Sequence, residues 1–167
     1  FSDRIEKVVP PKKGRTHVLR LIRELYTTKP EGHGTSISGA LSYINRLLDR
    51  KAIVVLASDF QDSNFDKELR ITNQKHDLVS IIVNDAMEDE LPNMGIIPFK
   101  DAESGKDILI DTSSKKVRSE YKKRRFILKK ELSEKLRKMK IDSVEVSTNQ
   151  SYVQPLMNFL MRRVNRY

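Results

Sequence analysis

Ala52-Ile53-Val54-Val55-Leu56-Ala57-Ser58-Asp59 is the stretch whose reading decides the fold. Its six apolar residues run without alternation, the pattern of a strand covered by helices on both faces; a strand with one wet face alternates. A second such run, Leu78-Val79-Ser80-Ile81-Ile82-Val83, comes after a short helical pattern at 66–75. Strand, helix and strand in this order predict an α/β fold with a doubly wound, mostly parallel sheet and right-handed crossovers.

On the N-terminal side, residues 35–48 carry a helical stripe of Ile37, Leu41, Ile44 and Leu48, with Thr35 or Ser36 as cap. The Glu31-Gly32-His33-Gly34 loop precedes it. Residues 16–27 predict another helix, capped by Thr16, with Val18, Leu21, Ile22 and Leu25 facing inward. Residues 4–9 alternate weakly before Pro10-Pro11 and predict a short strand. On the C-terminal side, 96–99 and 108–110 flank Glu103-Ser104-Gly105-Lys106, which reads as a small β-hairpin inserted near 96–111. A long helix comes next, with Val117, Tyr121, Leu128, Leu132, Leu136 and Met139 inward. Then come a strand at 143–147 and a final helix over 151–167, with Val153, Leu156, Leu160, Met161 and Val164 inward and Pro155 in its first turn. One domain over 1–167 is expected.

Composition narrows the classes. Absence of cysteine in the 167 residues excludes a disulfide framework and thiol catalysis. No apolar run approaches the roughly 20 residues that span a bilayer, so no membrane segment is expected in this chain; the lack of cysteine fits a reducing compartment, and a cytoplasmic location is expected. Net charge is +9, and one segment holds the imbalance: 115–140 contains 13 Lys/Arg and 3 Asp/Glu, against 19 and 20 elsewhere. On that helix Phe126 lies opposite the apolar stripe, near Lys122, Lys123 and Lys130. An aromatic among cations suits a nucleic-acid or phosphate-binding surface; a solvated face, or docking of an acidic protein, explains it more simply.

Ligands in wound sheets gather at the carboxyl ends of strands. Asp59 stands there, and Thr35 comes directly after the glycine-rich loop. A hydroxyl and a carboxylate are hard donors that suit Mg²⁺ or another divalent cation rather than zinc; the simpler alternative is a helix cap and a turn residue. Catalysis is not expected. The haloacid-dehalogenase pattern needs an Asp where Gln61 stands, and His17, His33 and His76 show no metal-ligand spacing. Gly-x-Ser-x-Gly and Walker-type loops do not occur.

The run from Gly34-Thr35 through Ala40-Leu41 to Leu56-Ala57-Ser58-Asp59-Phe60 resembles the second and third ligand loops of a von Willebrand factor A module. Asp85-Ala86-Met87-Glu88-Asp89-Glu90-Leu91-Pro92, Gly95, Asp101-Ala102-Glu103-Ser104-Gly105, Thr148, Leu156 and Arg162-Arg163 resemble a bacterial family, domain of unknown function fifty-eight. Its members often accompany MoxR-type AAA+ ATPases. The resemblance implies a metal-ion-dependent adhesion site with Thr35 and Asp59 as the second and third elements. The first, Asp-x-Ser-x-Ser, does not occur in the sequence. The chain is therefore expected to be a fragment of such a domain, lacking its N-terminal strands and continuing upstream in the natural protein. Its site is incomplete and is expected to bind no metal by itself. An exposed sheet edge, and self-association through it, are expected too. The function implied is protein–protein interaction with a partner such as a MoxR-type ATPase.

Overall fold

In a computed structural model, which describes residues 1–100 and 107–165, the chain is a mixed α/β protein. It groups into two compact units, Phe1–Val54 with Phe60–Leu78, and Val55–Asp59 with Val79–Tyr167.

The first unit is built on helices α1 (Arg15–Thr27), α2 (Ile37–Leu47) and α3 (Asp66–Lys75). α2 packs on α3. Ile37, Ala40 and Leu41 are buried on one, Leu69 and Thr72 on the other, and each large aliphatic chain contributes about 1.5–3 kcal/mol on burial. Asn45 Nδ2 donates to Thr72 Oγ1 at 2.9 Å, and the Thr72 hydroxyl donates to Glu68 O at 2.8 Å, so the hydroxyl buried between the helices is satisfied. Phe65, at the N-cap of α3, meets Phe60 edge to face, centroids 5.8 Å apart.

α1 ends at Thr27 as expected, but its face does not match. Val18, Leu19, Ile22, Leu25 and Tyr26 are exposed, Leu25 at 83%, and none of its residues is buried. Its cap is Gly14, at φ +101°, rather than Thr16. Residues 4–9 join neither sheet. Instead, Glu6 Oε1 accepts hydrogen bonds from the N–H groups of Glu31 and Gly32, tying the segment to a loop.

The second unit holds most of a three-stranded parallel sheet, β1 (Ile53–Ser58), β2 (Asp77–Asn84) and β5 (Asp142–Ser147), in the order β1-β2-β5. β2 and β5 run in register from Val79 opposite Asp142 to Asn84 opposite Ser147. Helices α4 (Lys115–Lys138) and α5 (Val153–Val164) pack against β5. Val79, Val144 and Phe159 form the buried centre, with Leu156 and Ile81 against it. β3 (Ile96–Lys100) and β4 (Asp107–Asp111) form the expected antiparallel hairpin. The anticipated turn Glu103-Ser104-Gly105-Lys106 lies outside the described residues. Thr112 clips the hairpin base: its N–H and hydroxyl both donate to Gly95 O, and its Oγ1 accepts from Met94 N–H.

Three expected faces are corrected. β1 is not covered on both sides: Val54 and Leu56 are buried, while Ile53, at 71%, and Val55 are exposed. On α4, Leu136 is fully buried but Leu128 is exposed. On α5 the inward residues are Leu156 and Phe159, whereas Val153, Leu160, Met161 and Val164 are exposed. That rotation has a cause. Arg163 shares the inner face, its side chain only 13% exposed, 3.5 Å from Asp142 Oδ2 and 5.9 Å over the Phe159 ring. A long cationic side chain covers apolar surface with its stem, which counting apolar residues does not anticipate.

Candidate functional site

The loop carrying Thr35 is held from three directions within the first unit. Ser36 caps α2, its Oγ accepting from Gly39 N–H at 3.1 Å, and its own N–H donates to Ser2 O at 2.8 Å. Asp62 supplies a second cap: Oδ2 accepts from Ile37 N–H at 2.7 Å, and Oδ1 from Ser63 N–H at 2.6 Å. Farther back, Ser2 Oγ donates to Glu6 Oε1 at 2.5 Å. That bond, with the Gly32 N–H, holds the Glu6 carboxyl below its ordinary pKa. Gly32 lies so close that a Cβ there would stand 2.2 Å from both Ser2 Oγ and Asp3 Oδ1. The glycine is required by this close approach rather than by its φ. Thr35 is half-buried at the end of the braced loop.

Asp59 comes directly after β1, in the second unit, and is exposed. It accepts a 3.4 Å hydrogen bond from Ser58 Oγ. Phe60, the next residue, holds φ +58°, a left-handed conformation that costs a bulky residue of order 1 kcal/mol or more. Its side chain is buried and meets the Phe65 ring edge to face, which offsets part of that cost. Thr35 offers a hydroxyl in the first unit and Asp59 a carboxylate in the second, both hard-oxygen donors. Among the described residues no group of three or more His, Cys, Asp or Glu side chains is placed to hold a metal ion.

The basic helix is divided electrostatically. Its inner border is tied to the acidic strap that includes the 3-10 turn Ala86–Glu88. Arg125 Nη2 donates to Glu88 Oε2 at 3.1 Å, and Lys129 Nζ lies 2.6 Å from both Asp89 oxygens. Lys122 pairs with Glu90, which raises the lysine pKa. Tyr121 OH donates to Glu88 O at 3.0 Å. Lys122, grouped by sequence with the open basic surface, is thus engaged by the strap. Lys123 and Lys130 are exposed and make no ion pair among the described residues, and Phe126 is 68% exposed.

The sequence pointed to Thr35, Asp59 and the cationic helix but missed Ser2, Glu6 and Asp62, which brace the first of these. Ser2 and Glu6 act across some thirty residues of sequence, where no local spacing signals them. Asp62 had one signal, a small acidic residue in a Ser/Asn turn able to cap a helix end.

The family described as Protein of unknown function DUF58 matches residues 1–130. The chain belongs to this family. Among curated proteins, this DUF58 chain is 32% identical over 100 residues to uncharacterized protein Mb1516 of Mycobacterium bovis, and equally to uncharacterized protein Rv1480 of Mycobacterium tuberculosis. Each match covers 58% of this chain and 32% of the relative, so the chain spans about a third of the length of those proteins. Uncharacterized protein MAV169 of Mycobacterium avium is 24% identical over 160 residues, 93% of both chains. No solved structure matches the chain significantly.

Proposed function

We propose that this DUF58 chain is a protein–protein interaction module rather than an enzyme, in the manner of a von Willebrand factor A domain. Its partner is a protein such as a MoxR-type AAA+ ATPase. The observation that carries the reading is the amount of core-type surface left open. Val18, Leu19, Ile22 and Leu25 of α1, Ile53 and Val55 of β1, and Leu160, Met161 and Val164 of α5 are all exposed. Open apolar faces of this extent mark surfaces that other protein covers.

By the resemblance to von Willebrand factor A modules, and not by their placement, Thr35 and Asp59 are assigned as hydroxyl and carboxylate ligands of a divalent cation, the remaining ligands being an Asp-x-Ser-x-Ser element and an acidic side chain of the partner. The braced loop before α2 and the exposed carboxylate after β1 are consistent with this assignment. The test is calorimetric titration of Mg²⁺ or Mn²⁺ into this chain and into a longer family member carrying that element. Tight binding to the longer protein, lost in Asp59→Ala and Thr35→Ala, together with chelator-sensitive capture of the ATPase, is the expected result. Equal affinity in both proteins refutes the metal assignment.

A further inference from the structure

The outer side of α4 carries a feature that the acidic strap leaves open. Lys116, Lys123, Lys130 and Arg137 recur every seventh residue over the helix, and all four are exposed. Lys123, Lys130 and Arg137 make no ion pair among the described residues, and Lys116 has only a 4.0 Å, fully solvated pair with Glu120. At 1.5 Å per residue the charges stand about 10.5 Å apart along a stripe of roughly 31 Å. At 100° per residue, Phe126 lies about 50° to one side of the stripe's midpoint and Ile127 about 50° to the other. Both are exposed, Ile127 at 52%.

We propose that this stripe docks an acidic α-helix of a partner protein, its carboxylates repeating every heptad and its apolar residues packing on Phe126 and Ile127. The spacing carries the proposal. A second helix presents side chains from one face at the same interval of about 10.5 Å, and seven-residue repeats stay matched as two helices wind around each other. Duplex nucleic acid does not match: it carries a charge about every 1.7 Å of axis, several times the density of this stripe. A membrane surface needs a continuous apolar face, and α4 offers two flanking residues. The helix already binds carboxylates in this manner on its inner border, where Lys122, Arg125 and Lys129 take Glu90, Glu88 and Asp89. The proposal does not depend on the cation at Thr35 and Asp59.

The experiment measures fluorescence anisotropy of a labelled helical peptide of about four heptads, with Glu at every seventh position and Leu flanking it. The binding partner is the whole chain, in the presence of EDTA. Controls are an isomer of identical composition with the Glu spacing broken and a DNA duplex of about 20 base pairs. The expected result is affinity for the heptad peptide about tenfold above the isomer, reduced about tenfold by Lys123→Glu with Lys130→Glu and several-fold by Phe126→Ala. Circular dichroism verifies the fold of each variant, and Lys123→Gln with Lys130→Gln replaces the charge reversal if it unfolds. Equal binding of the isomer, tighter binding of DNA, or undiminished binding by the charge variants each overturns the proposal. Retention of binding in EDTA separates it from the metal-mediated reading, which chelation abolishes.

Discussion

Among the described residues, two buried side chains hold polar atoms that make no hydrogen bond. His76 is 3% exposed with neither ring nitrogen hydrogen-bonded among the described residues, and Ser80 is fully buried in β2 with Oγ in the same state. A buried polar group that makes no bond costs stability, and replacing it by an apolar group of like shape is neutral or favourable. Ser80→Ala is therefore expected to leave stability unchanged or raise it by up to about 1 kcal/mol in urea unfolding, and a loss exceeding that amount means the hydroxyl has a partner. Thr72→Val must behave oppositely. It strands the Asn45 amide as well as removing a bond, with an expected cost of about 1–3 kcal/mol. Glu6 adds a pH term. Its carboxyl is lowered first by the Ser2 hydroxyl and then by the Gly32 N–H, so its contribution is present above the unfolded value and lost as pH falls through the folded one. Protection of the Gly32 amide in hydrogen exchange is expected to be intact at about pH 5 and to fall below about pH 4, and Glu6→Gln should flatten that dependence.

At the scale of elements, the helices and sheet strands and their order were legible, but the short strand read over 4–9 does not form and the covered faces were not legible. Helical periodicity and apolar runs located the five α-helices of the described residues and the two apolar strands β1 and β2 because those signals are local. The rotation of α5 was not readable, because Arg163 occupies the inner face through its stem and a pair with Asp142 across to β5. Likewise β1 reads as doubly covered from Ile53 to Ala57, yet its burial alternates. Thr35 and Asp59 were singled out by residue type and position after a loop and a strand, whereas the braces Ser2, Glu6 and Asp62 depend on tertiary approach and carried no local spacing signal. α5 provides a direct check. Phe159→Ala is expected to cost about 3–5 kcal/mol, and Leu160→Ala less than about 1 kcal/mol, although the two are adjacent and similarly hydrophobic. Equal losses would return the helix to the orientation that the sequence alone suggests.

For the molecule as a whole, the exposed apolar faces and the net charge of +9 oppose one another. Mutual repulsion keeps like-charged molecules apart until salt screens it, over about 10 Å at 0.1 M, whereas apolar association strengthens under salting-out anions. Among the described residues β1 ends the sheet order, and from Ile53 to Ser58 it carries neither charge nor proline, two of the usual guards of an edge strand. No helix among the described residues is long and apolar enough to cross a membrane, so a helical bilayer span does not account for these faces. Self-association is therefore expected to grow with concentration and with sulfate. Val55→Lys should suppress it by placing a charge on the exposed side of β1, with little loss of stability because that side chain is already 55% exposed. Multi-angle light scattering distinguishes the outcomes. A mass rising above 19.4 kDa in the parent chain and restored by Val55→Lys locates the contact on β1. A rise that Val55→Lys leaves untouched but Leu160→Lys removes moves the contact to α5, and a constant monomer mass at high concentration in sulfate excludes both.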